Sequence, residues 1–256
     1  MLIIALAFIP FSLQHTFSQQ APQIVYITWH PSEEAFALVT FSSQGDEEVG
    51  IYNENLTLLA SIQIGSNENI GAVAWNYDGS QLGISTYEDY GIARVYIWDV
   101  TLTQSAATAT LRYTFQEEST DYPFVEWHPI TPHYLAVPLG RDVFFWNTAT
   151  GEPISEFTSF QTYESPNHIY DVEWHPNGIY LATGSRFQTI DIWDVTDNPT
   201  RLVETLSVEN GVFALAWSSS GEQLAFIDGK NVEIWQQATN PQNYELIQTL
   251  TNQSDI

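Results

Sequence analysis

Residues Tyr170–Asp194 read YDVEWHPNGIYLATGSRFQTIDIWD, and the rhythm of this stretch decides the fold. Tyr170-Asp171-Val172-Glu173-Trp174 alternates, with β-branched and aromatic residues, at the period of two that marks a strand. Asn177-Gly178 is turn chemistry, Tyr180-Leu181-Ala182 opens a second apolar run, and Ile190-Asp191-Ile192-Trp193 is a third. Asn-Gly between alternating runs is a strong hairpin signal. A fourth run, Leu202 to Leu206, closes the unit with the pattern Leu-x-x-Thr-Leu.

The same unit recurs along the chain, and the tryptophans mark it. Trp29, Trp75, Trp127, Trp174 and Trp217 each end a first run, at separations of 46, 52, 47 and 43 residues. Tyr52, Trp98, Trp146, Trp193 and Trp235 follow their partners by 23, 23, 19, 19 and 18 residues, and the two sets account for all 9 tryptophans. Asp78-Gly79 and Ser220-Gly221 repeat the turn, and fourth runs recur at Leu58 to Ile62, Leu111 to Phe115 and Leu246 to Leu250. Four short strands repeated at this interval are the signature of a propeller blade, which cannot bury both faces alone and must stack on its neighbours.

Trp98-Asp99 and Trp193-Asp194 carry the dipeptide of the WD-repeat propellers, and Trp146-Asn147 and Trp235-Gln236 are near variants. The chain thus resembles the WD-repeat (WD40-type) β-propeller family over roughly residues 13 to 250. The resemblance implies an all-β fold of four-stranded antiparallel blades, five of them, at about 23–64, 70–115, 123–158, 168–206 and 211–250. It also implies a rigid platform for protein partners. The family's Gly-His pair and its Asp before the third strand are mostly missing, with only Asp46 in the Asp position. Packing of the tryptophans is therefore expected to carry more of the stability, and each is expected to be gripped between adjacent sheets.

Leu2 to Phe11 is almost wholly apolar, and Thr16 and Ser18 place small residues before a possible cleavage at Gln19. Residues 1–18 read as a secretory signal, implying a secreted or periplasmic protein, or else as a strand, which would leave the chain cytoplasmic. The strand alternative has its own support: Leu13-Gln14-His15-Thr16-Phe17 has the fourth-strand pattern, and Phe17 precedes Trp29 by 12 residues, as Phe115 precedes Trp127. A five-bladed ring with a cleaved N-terminus and a fragment of a six- or seven-bladed ring both fit. No segment is apolar over the length a membrane-spanning helix needs.

Across 256 residues, 6 Lys and Arg face 31 Asp and Glu, for a net charge of -25. Nucleic acid and anionic membranes, which require a positive face, are excluded as expected partners. An aromatic content of 14% places the acidity on a folded surface rather than in a disordered chain. With 0 cysteines there is no disulfide, thiolate metal site or cysteine nucleophile.

Three units share Trp-His-Pro, at His30, His128 and His175. Metal ligands must converge on one point, whereas these histidines belong to separate blades, so they are read as structural echoes of the repeat. His133 and His168 fit no ligand spacing, and no repeated acidic calcium loop or catalytic motif occurs. No catalytic residue, metal or cofactor is expected. Loops joining fourth to first and second to third strands should share one face, holding Glu88, Asp89, Glu117 and Glu118 together with Glu47, Glu48, Glu68, Glu209 and Asp228. Arg94, Arg141, Arg186 and Lys230 recur there, one per blade from the second to the fifth. They are read either as local ion-pair partners or as part of a mixed rim that selects a cationic or polar protein partner. Asn55-Leu56-Thr57 and Asn252-Gln253-Ser254 fit the glycosylation acceptor pattern. The expected function is a non-catalytic binding scaffold. The alternative is the propeller domain of a larger extracellular enzyme.

Overall fold

The structure, a computed structural model, describes residues 23–41, 47–65, 68–88, 91–118, 123–154, 160–161, 169–185, 188–196, 200–229, 231–237 and 244–251. Every regular element among them is a strand, and the strands form five antiparallel sheets in chain order. Sheet 1 holds β1 (Gln23–Trp29), β2 (Ala35–Phe41), β3 (Glu47–Asn53) and β4 (Leu58–Gln63). Sheet 2 holds β5 (Asn69–Trp75), β6 (Gln81–Glu88), β7 (Ile92–Leu102) and β8 (Ala107–Glu118). Sheet 3 holds β9 (Glu126–Trp127), β10 (Tyr134–Leu139) and β11 (Asp142–Asn147), with β12 (Glu152–Pro153) and β13 (Phe160–Gln161) both paired to β11. Sheet 4 holds β14 (Ile169–Trp174), β15 (Tyr180–Ser185), β16 (Thr189–Asp194) and β17 (Arg201–Ser207). Sheet 5 holds β18 (Val212–Trp217), β19 (Gln223–Asp228), β20 (Asn231–Gln237) and β21 (Tyr244–Thr251). Sheets 1 and 2 belong to one compact unit, ending at Val125, and sheets 3 to 5 to a second that begins at Glu126.

The register repeats as the sequence does. Trp174 pairs with Leu181, Leu181 with Trp193, and Trp193 with Leu202, a row across all four strands of sheet 4. Trp75-Leu82-Trp98-Leu111 and Trp217-Leu224-Trp235-Leu246 are the same row in sheets 2 and 5. In sheets 1, 2, 4 and 5 the third-to-fourth ladder shifts register just before the aromatic residue, at Tyr52, Trp98, Trp193 and Trp235. Such bulges add right-handed twist.

The core lies between sheets. In the first unit Val49, Ile51 and Ile62 of sheet 1 pack with Ile70, Trp75, Leu82 and Ile84 of sheet 2. In the second unit Val143 and Phe145 of sheet 3 meet Ile169, Val172 and Trp174, and Ile190 and Ile192 of sheet 4 meet Val212, Leu215 and Trp217. Second strands are therefore buried on both faces, as in Leu181 and Ala182, while β21 is exposed from Glu245 to Thr251.

Three expectations need correction. Trp75, Trp127, Trp174 and Trp217 are buried, but Trp29 is 44% exposed. No earlier sheet stands among the described residues to cover it. Phe124-Val125 does not join the first strand of sheet 3, which pairs only at Glu126 and Trp127. The carbonyl of the adjoining Pro123 instead accepts the Ser85 hydroxyl at 2.6 Å. The fourth strand of sheet 3 is also cut to two residues, since Pro153, opposite Trp146, has no N–H for the ladder.

Candidate functional site

Of the expected rim residues, Arg94, Arg141, Glu88, Glu117 and Glu118 are described. Arg186, Lys230 and Asp89 lie outside the described residues, as do residues 1–18, Asp46, His168 and Asn252. Arg94 stands near the start of β7, opposite Thr86 on β6 and Gln116 on β8. Its guanidinium pairs with Glu88, lies 3.3 Å from Glu68 Oε1, and donates from Nε to Gln116 Oε1 at 3.1 Å. Glu68 also accepts the Tyr96 hydroxyl at 2.8 Å and the Thr86 hydroxyl at 2.6 Å. Burial, then the hydrogen bond to Glu68, pushes the Tyr96 phenol up to about 12. Arg94 is thus built into the end of its own sheet.

Glu117 and Glu118 end β8 exposed to solvent, and Arg141 is exposed in the β10–β11 turn. Arg112 is tied to Asp99 at 2.8 Å and Arg201 to Asp194 at 3.3 Å. Three of the four described arginines are thereby held by carboxylates of their own sheets. Several residues expected in the loops are structural instead. Glu47 and Glu48 belong to β3, and Glu47 accepts the Ile70 N–H. Asp228 ends β19 fully buried and accepts the Glu209 N–H at 3.2 Å, because the strand carries it beneath the preceding loop.

Sequence reasoning passed over a second set of carboxylates, Glu126 on β9 and Asp171 and Glu173 on β14. First strands are sheet edges, so their outward N–H groups lack a partner within the sheet. Asp171 Oδ2 accepts the Leu215 N–H at 2.6 Å, Glu173 accepts that of Trp217, and Glu126 that of Trp174. The first strands of sheets 3 and 4 therefore each bind the next first strand through side-chain carboxyls. Burial pushes the Asp171 carboxyl up to about 7, and burial together with neighbouring carboxyls raises Glu173 and Glu126. Raised carboxyls also mark acid–base sites, but here each is engaged with backbone. The signal available in sequence was an acidic residue directly before Trp127 and Trp174, where the other units have Thr28, Ala74 and Ala216.

The three Trp-His-Pro histidines each bond the next sheet. His30 Nε2 lies 3.0 Å from the Gly79 carbonyl, His128 Nε2 3.0 Å from that of Gly178, and His175 Nε2 3.1 Å from that of Gly221. Their rings stand against Trp75, Trp174 and Trp217 at centroid separations of 4.8, 4.7 and 4.8 Å. Gly79 has φ +75°, and a Cβ there would lie 2.0 Å from His30 Nε2. Among the described residues no group of three His, Asp or Glu side chains is placed to hold a metal ion.

Residues 157–194 match the family model described as "WD domain, G-beta repeat". Among curated proteins, the anaphase-promoting complex subunit cdc20 of Dictyostelium discoideum is 39% identical over 85 residues, covering 33% of this chain and 16% of that protein. Coronin-7 of Mus musculus is 32% identical over 122 residues, covering 45% of this chain and 13% of that one. The chain thus spans about a sixth or less of these relatives' lengths. Among solved structures, the β-propeller domain of Cps50 (Swd1) from Myceliophteria thermophila superposes with a TM-score of 0.69 at 14% identity, covering 92% of this chain and 76% of that one. A chain of the mitotic checkpoint complex gives a TM-score of 0.66 at 17% identity, covering 95% and 74%. The matched repeat includes Thr183 Oγ1, which accepts the Trp193 indole N–H at 3.1 Å. In sheet 2 Ile84 takes the place of Thr183, and the Trp98 indole nitrogen is buried without a partner.

Proposed function

We propose that this chain, which matches the WD-repeat model at residues 157–194 and superposes on β-propellers, is a non-catalytic, rigid module that holds a basic protein partner against its acidic loop ends. One observation carries this reading. Arg94 is enclosed by Glu68 and Glu88 at the loop end of its sheet, while Glu117 and Glu118 stand exposed at the end of β8. An acidic face of this kind raises the on-rate and selectivity for a cationic surface. Within each unit a side chain of one sheet bonds the backbone of the next, as His30 does to Gly79 and Asp171 to Leu215, which suits loops displayed for binding. The similarity to an anaphase-promoting complex subunit and to a chain of the mitotic checkpoint complex supports work within an assembly.

The test is affinity capture on the immobilised chain, wild type against Glu117→Lys/Glu118→Lys, with elution by rising salt. Basic proteins retained by the wild type, released by salt and lost from the variant are the expected result. An unchanged set of retained proteins would remove the acidic rim from the binding surface. Residues 1–18 act, in the same proposal, as an export signal. Expression with the native N-terminus should then yield a mature chain beginning at Gln19, and recovery of an intact Met1 terminus overturns that part.

A further inference from the structure

The histidines after the first-strand tryptophans follow a pattern that sequence spacing alone does not explain. A histidine stands in sheets 1, 3 and 4, and a positive-φ glycine stands in the turn of the sheet that follows each, at Gly79, Gly178 and Gly221. Sheet 2 has Asn76 and sheet 5 has Ser218 in the histidine's place, and both bond within their own turns. Asn76 Oδ1 accepts the Gln81 N–H at 2.9 Å, and Ser218 Oγ accepts the Gln223 N–H at 3.0 Å. Sheet 1 has Glu33, at φ +61°, where the clasped turns have glycine. A side chain is tolerated there because no described histidine closes on that turn.

The clasp requires one protonation state. Nε2 must carry a hydrogen to donate to the glycine carbonyl. Nδ1 must be bare, because in His30 it accepts the Ser32 N–H at 3.1 Å and the Ser32 hydroxyl at 2.8 Å, and in His128 the Ile130 and Thr131 N–H groups at 3.2 and 2.9 Å. We propose that His30 and His128 are acid-operated latches: protonation at Nδ1 turns the acceptor of the turn into a donor aimed at backbone N–H, and the hold on the next sheet is released. Each latch takes one proton from solvent. Burial lowers the affinity of both rings for that proton. Around His30 the Gly79 carbonyl and the charges of Glu34 and Asp78 act in the opposite sense, and around His128 the Gly178 carbonyl does so. The remaining described groups facing the rings are Ser32 and Trp75 at His30, and Tyr134 and Trp174 at His128.

A ring that binds its proton more weakly closed than open makes opening easier as pH falls below the ordinary histidine value of about 6.5. The buried carboxyls Glu126, Asp171 and Glu173 titrate with the opposite sign, so whole-protein melting would blend the two. Site-resolved amide exchange on the full chain separates them. After correction for intrinsic rates, the Ser32, Ile130 and Thr131 amides should exchange faster by up to about tenfold per pH unit between about pH 6.5 and the closed-state value. The Gln81 and Gln223 amides, whose acceptors do not titrate, are the internal controls. Imidazole ¹⁵N shifts at neutral pH should report the Nε2–H tautomer in both rings. His30→Gln and His128→Gln, which keep a donor but lose the titration, should abolish the acid dependence at their own turns. The proposal is overturned if the three amides track the controls, if the rings carry hydrogen on Nδ1, or if the glutamine variants retain the acid dependence. The first two measurements need only the native protein, so failure of a variant to fold does not remove the test.

Discussion

Replacing Trp174 by alanine tests the sheet-to-sheet packing most directly, because Trp29 supplies a matched control at the same place in the repeat. Trp174 is 3% exposed, with the Phe145 ring centroid 5.9 Å away and that of His128 4.7 Å away, both from the neighbouring sheet. A tryptophan buries about 150–250 Å². At about 25 cal/mol per Å² that is about 4–6 kcal/mol, and measured tryptophan truncations in cores run to about 3–5 kcal/mol. At Trp29, 44% of the residue is already exposed, so the same arithmetic leaves about 2–3 kcal/mol. Urea titration with an unchanged m-value reads both losses as shifts of midpoint. A Trp174→Ala loss below about 1 kcal/mol, or one no larger than that of Trp29→Ala, would refute the reasoning that these indoles are wedges between sheets.

Thr183→Val should cost about 1–3 kcal/mol, because it removes the hydroxyl that accepts the buried Trp193 indole N–H; chemical denaturation reads it. Gly79→Ala should destabilise by about 1–2 kcal/mol from the positive φ alone, with more from the collision with His30. The penalty should shrink in the His30→Ala background, and a double-mutant cycle that is simply additive would contradict the contact. Asp171 holds its proton up to about pH 7 when folded, whereas the unfolded carboxyl ionises near its ordinary value of about 3.9. The folded state therefore binds more protons between those limits, so this group's contribution to stability falls as pH rises through that window. Asp171→Asn, which still offers an oxygen to the Leu215 N–H, should reduce that slope in denaturation profiles.

The repeat was legible because its signals are local. Period-two alternation ending in Trp174, and Asp78-Gly79 or Asn177-Gly178 meeting the positive φ a tight turn demands, place strands and hairpins without reference to the rest of the chain. The rim charges were legible only as positions. Nothing in the sequence distinguishes Arg94, enclosed by Glu68 and Glu88, from the exposed Arg141. Asp228 and Glu117 likewise both follow apolar strands, yet the first is fully buried and the second stands in solvent.

From its residues alone this chain is determined to be five repeats of antiparallel strands with an acidic surface, since strand period, turn chemistry and net charge are properties of short segments and of composition. Only the tertiary structure decides which tryptophans are covered, which carboxyls give up solvent for the next strand's N–H, and which histidines close on a glycine turn. Those outcomes depend on what a neighbouring sheet brings within a few ångströms, across more than forty residues of sequence in the case of His30 and Gly79. Burial and hydrogen bonding are settled by that approach, and a repeated motif reads the same whether or not a neighbour arrives.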